Sequence, residues 1–191
     1  MKIKAIESIL KSAKQLIIYR NDRFGQWLGD GSSMYPIHNL PTITDKHLFA
    51  LFDIPEDKQS KYYFQERGVP KDIDTRDYIE NEKLIQRGKF TIVALGRELE
   101  PLQTSSGTVF INTKYLKPFA DEPDGFELYE RYGSESGTYI VAKSGMLVIG
   151  IIHPFNIVGE KFLSELETLT DGVRQALNRQ QEAKTQTSFT D

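Results

Sequence analysis

The chain has 191 residues, 39% hydrophobic and 27% charged, with a net charge of −3 and no cysteine. This balance fits a soluble globular protein of one domain or two small ones, and the missing cysteines exclude disulfides, thiolate metal sites, iron–sulfur clusters and cysteine nucleophiles. A negative net charge leaves any nucleic-acid contact to a local patch, and no apolar run approaches the ~20 residues that span a bilayer.

Apolar residues at Ile3, Ile6, Ile9, Leu10 and Ala13 predict an amphipathic helix, with Lys4, Glu7, Lys11 and Lys14 on its polar face. Those charges also interrupt anything that could serve as a secretory apolar region, so the expected location is cytoplasmic. Gln15 to Tyr19 reads as a short apolar strand. Gln26-Trp27-Leu28 pairs with it, and Gly29-Asp30-Gly31-Ser32-Ser33 breaks the pattern before Met34 to Ile37. A glycine-rich bend can cradle phosphate with backbone N–H groups. Phosphate loops open into a helix, however, and a Tyr-Pro extended step follows here, so a bulge or tight bend is expected instead. Thr42 or Thr44 caps a helix through Phe52, with Leu48, Phe49, Leu51 and Phe52 buried and Pro55 as its stop.

Lys61 to Gln65 reads as an aromatic strand. From Arg67 the composition shifts to a charged excursion that ends in a helix through Gln86, with apolar residues too sparse for a second core. Phe90 to Leu95 is an apolar strand; Arg97 to Pro101 lead to a turn at Thr104 to Gly107, and Thr108 to Ile111 follow as a strand. Asn112 or Thr113 caps a short helical turn limited by Pro118. Phe126 to Tyr132 alternates as a strand. Tyr139 to Ala142 and Met146 to Ile152 form a hairpin around Lys143-Ser144-Gly145, its second strand apolar on both faces and ended by His153-Pro154. From Gly159 the stripe Phe162, Leu163, Leu166, Leu169, Val173 and Leu177 predicts a helix packed on the core, and residues 178–191 read as a polar, frayed tail.

The expected fold is α+β, with mainly antiparallel sheet and about five helices. Its core is built by Leu16 to Tyr19, Phe90 to Leu95, Tyr139 to Ile152 and the helix from Phe162. Two hairpin-helix units echo one another: Tyr35-Pro36-Ile37 stands against His153-Pro154-Phe155, and Asp45-Lys46-His47 against Glu160-Lys161-Phe162, as in a degenerate internal duplication. The expected parts are residues 1–66, the excursion 67–88, a strand-rich part 89–177 and the tail 178–191, with one compact domain as the alternative.

Searching for chemistry yields no catalytic constellation. His38, His47 and His153 share no metal spacing, and a zinc site would need carboxylates to complete it. Ser144 lies in a hairpin turn, not a strand-to-helix elbow. Asp72, Asp74, Asp77 and Glu80 form the tightest acidic group, and Asp74 and Asp77 on one helix face would suit a two-metal nuclease. Glu56-Asp57-Lys58 has a nuclease-like spacing but sits in a loop. No dinucleotide or Gly-Lys-Ser fingerprint occurs, so neither a cofactor nor a metal is expected.

From Val109 to Leu169 the order strand, short helix (NTKYLKPFAD), three strands (FELYERY, TYIVAK, MLVIGIIHP) and helix (EKFLSELETL) resembles the repeating unit of DNA sliding clamps. The segment from Ile3 to Phe52 is similar to part of another such unit. In that family paired helices carrying lysine and arginine line a ring around DNA, a role the resemblance passes to Lys4, Lys11 and Lys14. The acidic helix from Glu160 departs from that pattern. The small, cysteine-free, motif-poor chain also resembles uncharacterised proteins of bacteriophages and mobile elements.

The resulting expectation is a non-enzymatic binding or regulatory protein, clamp-like in DNA replication, with a metal-dependent nuclease using residues 72–80 and an inhibitor of a host defence protein as the alternatives. The residues leave both protein and nucleic acid open as partners, and self-association open with them. For nucleic acid the candidates are Lys4, Lys11, Lys14, Arg20 and Arg23, joined by Lys2; for a protein they are Trp27 and Tyr35 beside the Gly29 to Ser33 bend.

Overall fold

The computed structural model describes residues 2–21, 25–38, 40–88, 90–155 and 159–187. In chain order the elements are α1 (Ile3–Ala13), β1 (Gln15–Asn21), β2 (Gly25–Gly29), β3 (Ser33–Ile37), α2 (Asp45–Leu51), α3 (Glu56–Gln59), β4 (Tyr63–Gly68), β5 (Lys83–Leu84), β6 (Ile92–Ala94), β7 (Arg97–Thr104), β8 (Gly107–Asn112), a 3-10 helix (Thr113–Phe119), β9 (Glu127–Gly133), β10 (Gly137–Ser144), β11 (Leu147–Ile152) and α4 (Glu160–Thr187). The fold is α+β and its pairing is mostly antiparallel. The chain divides into two units, the first ending at Phe155.

In the first unit an eight-stranded sheet has the order β4-β1-β2-β3-β11-β10-β9-β5, and β6-β7-β8 form a second sheet. The large sheet joins two three-stranded meanders through the antiparallel contact of β3 with β11, at Met34–Ile151 and Ser33–Ile152. Each meander is preceded by a helix, α1 or the 3-10 helix, and Lys2 N donates to Pro118 O at 2.9 Å where the two meet. The matching strands are therefore β1 with β9, β2 with β10 and β3 with β11. The echo read from the sequence had instead set Gln15 to Tyr19 against β10 and placed its helices after the hairpins. One pair departs from antiparallel: β4 lies parallel to β1, from Gln15–Tyr63 to Arg20–Gly68, after a connection long enough for the crossover such a pair needs.

Strand alternation sends side chains to both faces of the large sheet. Leu16, Ile18, Leu28, Tyr35, Ile140, Ala142 and Ile152 face a core closed by Ile6, Ile9 and Leu10 of α1, Leu48 and Phe52 around α2, Leu116 and Phe119 of the 3-10 helix, and Leu102 and Ile111 of the second sheet. Ile17, Tyr19, Trp27, Met34, Tyr139, Val141 and Ile151 face the other way, against Ile73 and Val69. The second cover is the charged excursion itself. Its expected helix through Gln86 is absent: residues 69–82 are irregular and only Lys83–Leu84 are extended, because Pro70, the paired aspartates and Gly88 favour turns over a continuous helix. It thus packs on the large sheet as part of the first unit.

Several local expectations shift. Thr44 caps α2 and His47 completes the capping box, yet Leu51 is exposed. α2 ends at Leu51, with Phe52 as its C-cap and Asp53 at φ +50, short of the expected stop at Pro55, which is instead the N-cap of α3. Arg97 to Thr104, expected as a link and a turn, is a full strand, whereas Phe90 to Leu95, expected in the core, is largely exposed. In the β10–β11 hairpin Lys143 belongs to the strand: the ladder runs on to Ser144–Leu147, with an irregularity after Ala142, and the turn falls at Gly145 with φ +56.

The second unit is described by α4, which continues helically to Thr187, so residues 178–187 are not the frayed tail expected. Along its apolar stripe Leu163, Leu166, Leu169, Val173 and Leu177 are exposed.

Candidate interaction surfaces

The basic set divides once its partners are placed. Lys11 pairs with Glu7 at 2.6 Å, Lys2 with Asp121 at 2.6 Å, and Arg20 with Glu66 at 2.7 Å. Arg20 also donates to Gln26 Oε1 and Ile43 O, so it ties β1 to the loop before α2. Arg23 lies outside the described residues. Lys4 and Lys14 are exposed and enter no ion pair among the described residues; Lys14 is the left-handed C-cap of α1. The contact between Lys2 and Pro118 brings the 3-10 helix beside α1 and adds exposed Lys117 to this end of the molecule. Sequence reading missed Lys117 because nothing in it announces that residues 2 and 118 meet.

Trp27 and Tyr35 are not surface anchors. Trp27 is 2% exposed and Tyr35 fully buried, on opposite faces of the sheet. An aromatic residue on a central strand has a packed layer above it whichever face it takes. Tyr35 donates to Tyr115 O at 3.0 Å, and burial pushes its hydroxyl pKa well up. The neighbouring bend also supplies its own anion. Asp30 Oδ1 accepts from Ser32 N, Ser33 N and Ser33 Oγ at 2.9–3.1 Å, while Oδ2 accepts from Tyr115 Oη at 3.0 Å. A carboxylate therefore stands where a phosphate cradle would hold its ligand.

In the acidic group each aspartate serves a different backbone segment. Ser136, through its side chain and then its backbone N–H, holds the Asp72 pKa down, and Asp72 also accepts from Glu135 N; Asp74 makes a bidentate pair with Arg76, and Asp77 accepts from Val148 N. With no helix here, Asp74 and Asp77 share no helix face. Among the described residues no group of three His, Asp or Glu side chains could hold a metal ion. An open depression of about 480 Å³ lies over Asn21, Asp72, Asp74, Arg76, Tyr132 and Tyr139, but its aspartates are committed to these turns. His47 caps α2, and His153, whose pKa is lowered by burial, lies 6.4 Å from the Tyr139 ring.

The excursion is fastened by buried ions. Arg131, with a fully buried side chain, donates to Glu82 Oε2 at 2.9 and 2.5 Å and to Asp74 O and Arg76 O at 2.9 and 2.8 Å. Lys143 reaches Glu82 Oε1 at 2.6 Å and lies over the Tyr129 ring at 4.8 Å.

One surface without such commitments among the described residues is the tip of the second sheet. β6 pairs only with β7, leaving one strand edge open among the described residues. Phe90, Val93 and Leu95 around it are 64%, 80% and 78% exposed. Leu95 and Gly96 form the turn with φ +52 and +68. A leucine in the left-handed region is strained, since its Cβ crowds the backbone there. The β4 edge of the large sheet is blunted, because that strand carries Glu66 and Arg67; β6, at the edge of the second sheet, carries Ile-Val-Ala and no charge. No family model, curated protein or solved structure matches this chain.

Proposed function

We propose that this is a non-enzymatic binding protein that engages another protein through the β6–β7 hairpin. The observation that carries the reading is Leu95, an exposed leucine held at a strained turn beside an open, uncharged strand edge. Such an edge accepts a further strand through its unpaired N–H and C=O groups, while side chains on alternate positions supply specificity. Affinity capture from the native host, with the parent chain and with Val93→Lys/Leu95→Lys side by side, tests it. A protein held by the parent and bound at least about 100-fold more weakly by the variant, after reconstitution from purified components, is the expected result. Equal binding by both chains overturns the hairpin. Labelled DNA and RNA should stay intact with magnesium as with chelator; metal-dependent cleavage abolished by Asp74→Ala and Asp77→Ala would establish the nuclease instead.

A second reading, a clamp-like accessory of DNA replication, is favoured by the paired meanders with α1 and the 3-10 helix side by side, and by exposed Lys4, Lys14 and Lys117, which enter no ion pair among the described residues. Replacing the three by glutamine should lower duplex-DNA affinity at low salt and flatten its log–log salt dependence by about 0.9 for each phosphate left without its lysine. A triple variant with the parent's slope removes these lysines from any DNA contact.

A further inference from the structure

We infer that α4 pairs with α4 of a second copy of this chain, running antiparallel. The helix has 28 residues, and its stripe Leu163, Leu166, Leu169, Val173 and Leu177 is between 38% and 63% exposed. From Phe162 to Leu177 this apolar stretch runs about 24 Å along the axis, and leucines in such a row are ordinarily covered in a folded helix. The spacing is that of a heptad seam. Phe162, Leu166, Leu169, Val173 and Ala176 recur at alternating steps of four and three, and Leu163 and Leu177 widen the seam on one side.

Charge selects both the partner and its direction. The first half of the stripe is flanked by Glu165, Glu167 and Asp171 against Lys161, whereas Arg174 and Arg179 flank the second half, with no acidic residue from 172 to 180. The pairs within the helix are loose, at 3.9 Å for Lys161–Glu165 and 3.6 Å for Asp171–Arg174, and all four side chains are well exposed. A parallel pair would lay the acidic half on the acidic half. An antiparallel pair lays acidic on basic: with Leu169 opposite the partner's Val173 and Leu166 opposite the partner's Ala176, Glu165 flanks the seam near the partner's Arg179. The two-fold axis repeats that contact. The helix thus carries both halves of a complementary interface, the property a symmetric self-contact requires. This inference is independent of the hairpin, which belongs to the other unit.

Sedimentation equilibrium of the full chain from about 1 µM to about 100 µM tests it, with far-UV spectra to confirm folding. The parent should show a reversible dimer, and Leu166→Glu/Leu169→Glu a monomer with the sheet's thermal transition unchanged. Glu165→Arg should weaken the dimer about tenfold by setting like charges together, and Glu165→Arg/Arg179→Glu should restore it. The swap distinguishes direction, since only an antiparallel seam brings these two positions together. A parent that stays monomeric at about 100 µM assigns the stripe to another occupant and overturns the proposal. So does a dimer that survives Leu166→Glu/Leu169→Glu, or one that the swap fails to restore.

Discussion

Replacing Glu82 by glutamine should cost about 3–5 kcal/mol of stability, a large share of the roughly 5–15 kcal/mol that holds a domain of this size together. The carboxylate faces two cations: Arg131, with no exposed side-chain surface, and Lys143, 6% exposed. Neutralising it leaves both in a low-dielectric site without a counter-charge, which costs far more than one lost hydrogen bond. The remaining guanidinium donors hold the carbonyls of Asp74 and Arg76, so the cover over Ile17, Trp27 and Tyr139 should loosen with it. Combining Glu82→Gln with Lys143→Met should recover part of the loss, because the second change removes one stranded charge. Urea denaturation of the two single variants and the double variant gives the coupling, and a Glu82→Gln chain within about 1 kcal/mol of the parent refutes the role.

Acid titration provides a check on the same triad. Burial alone pushes the Glu82 carboxyl up, but hydrogen bonds from Lys143 and Arg131, aided by their charge, outweigh it and hold the group below its ordinary 4.5. The folded state therefore binds this proton less readily than the unfolded chain. The corresponding stability is present above about pH 4.5 and is lost as pH falls through the lower folded value. Other carboxylates also lose stability there, so the informative quantity is the difference between parent and Glu82→Gln, which should shrink as pH falls below about 4.5.

The triad also shows where sequence reading stops. Alternation in Phe126 to Tyr132 put Arg131 on a strand face, and an arginine on a strand face is ordinarily solvated. Burial of Arg131 depends on what lies over that face, and the cover comes from Asp74 to Glu82, a segment whose charge density reads as surface. The apolar character of β11 on both faces did announce two covers, but not that a proline- and aspartate-rich excursion supplies one of them. Several local signals were legible: Thr44, one of two candidate caps, caps α2, Asn112, again one of two, caps the 3-10 helix, and His153-Pro154 follow the end of β11. Among the candidate sites, Trp27 and Tyr35 failed for the opposite reason. Beside a polar bend they looked exposed, whereas that bend closes on Asp30 and leaves both rings inside. Leu95 offered one signal, the glycine at 96 that follows the apolar run from Phe90 and suits a turn, but the charged Arg97-Glu98 after it does not read as a returning apolar strand. The length of the strand beyond it was hidden by Pro101, which pairs with Phe110 inside β7.

Gly29→Ala should be the most damaging single-methyl change in the bend, at about 3 kcal/mol. A Cβ at Gly29 would sit 2.1 Å from Ser33 O, 2.9 Å from the Tyr19 ring and 3.1 Å from Met34 Cα. Two of those atoms are backbone, so no rotamer change relieves the clash, and β2 must separate from β3. Ser33 O accepts from Asp30 N at 3.1 Å, and the three donors on Asp30 Oδ1 depend on the same turn. Opening it exposes a buried carboxylate and breaks its bond with Tyr115. Gly145→Ala is the control, since nothing lies within 4 Å of a Cβ there and only its φ of +56 opposes the change; that strain is worth about 1 kcal/mol. In urea, with an m-value of about 2 kcal/mol/M, the Gly29→Ala midpoint should fall by about 1.5 M and that of Gly145→Ala by about 0.5 M. Equal shifts would mean that the close approach of β2 to β3 is not what requires glycine at position 29. The larger shift at Gly29 identifies the glycine-rich bend as a strand-packing device built around Asp30, whose carboxylate takes the donors of Ser32 and Ser33.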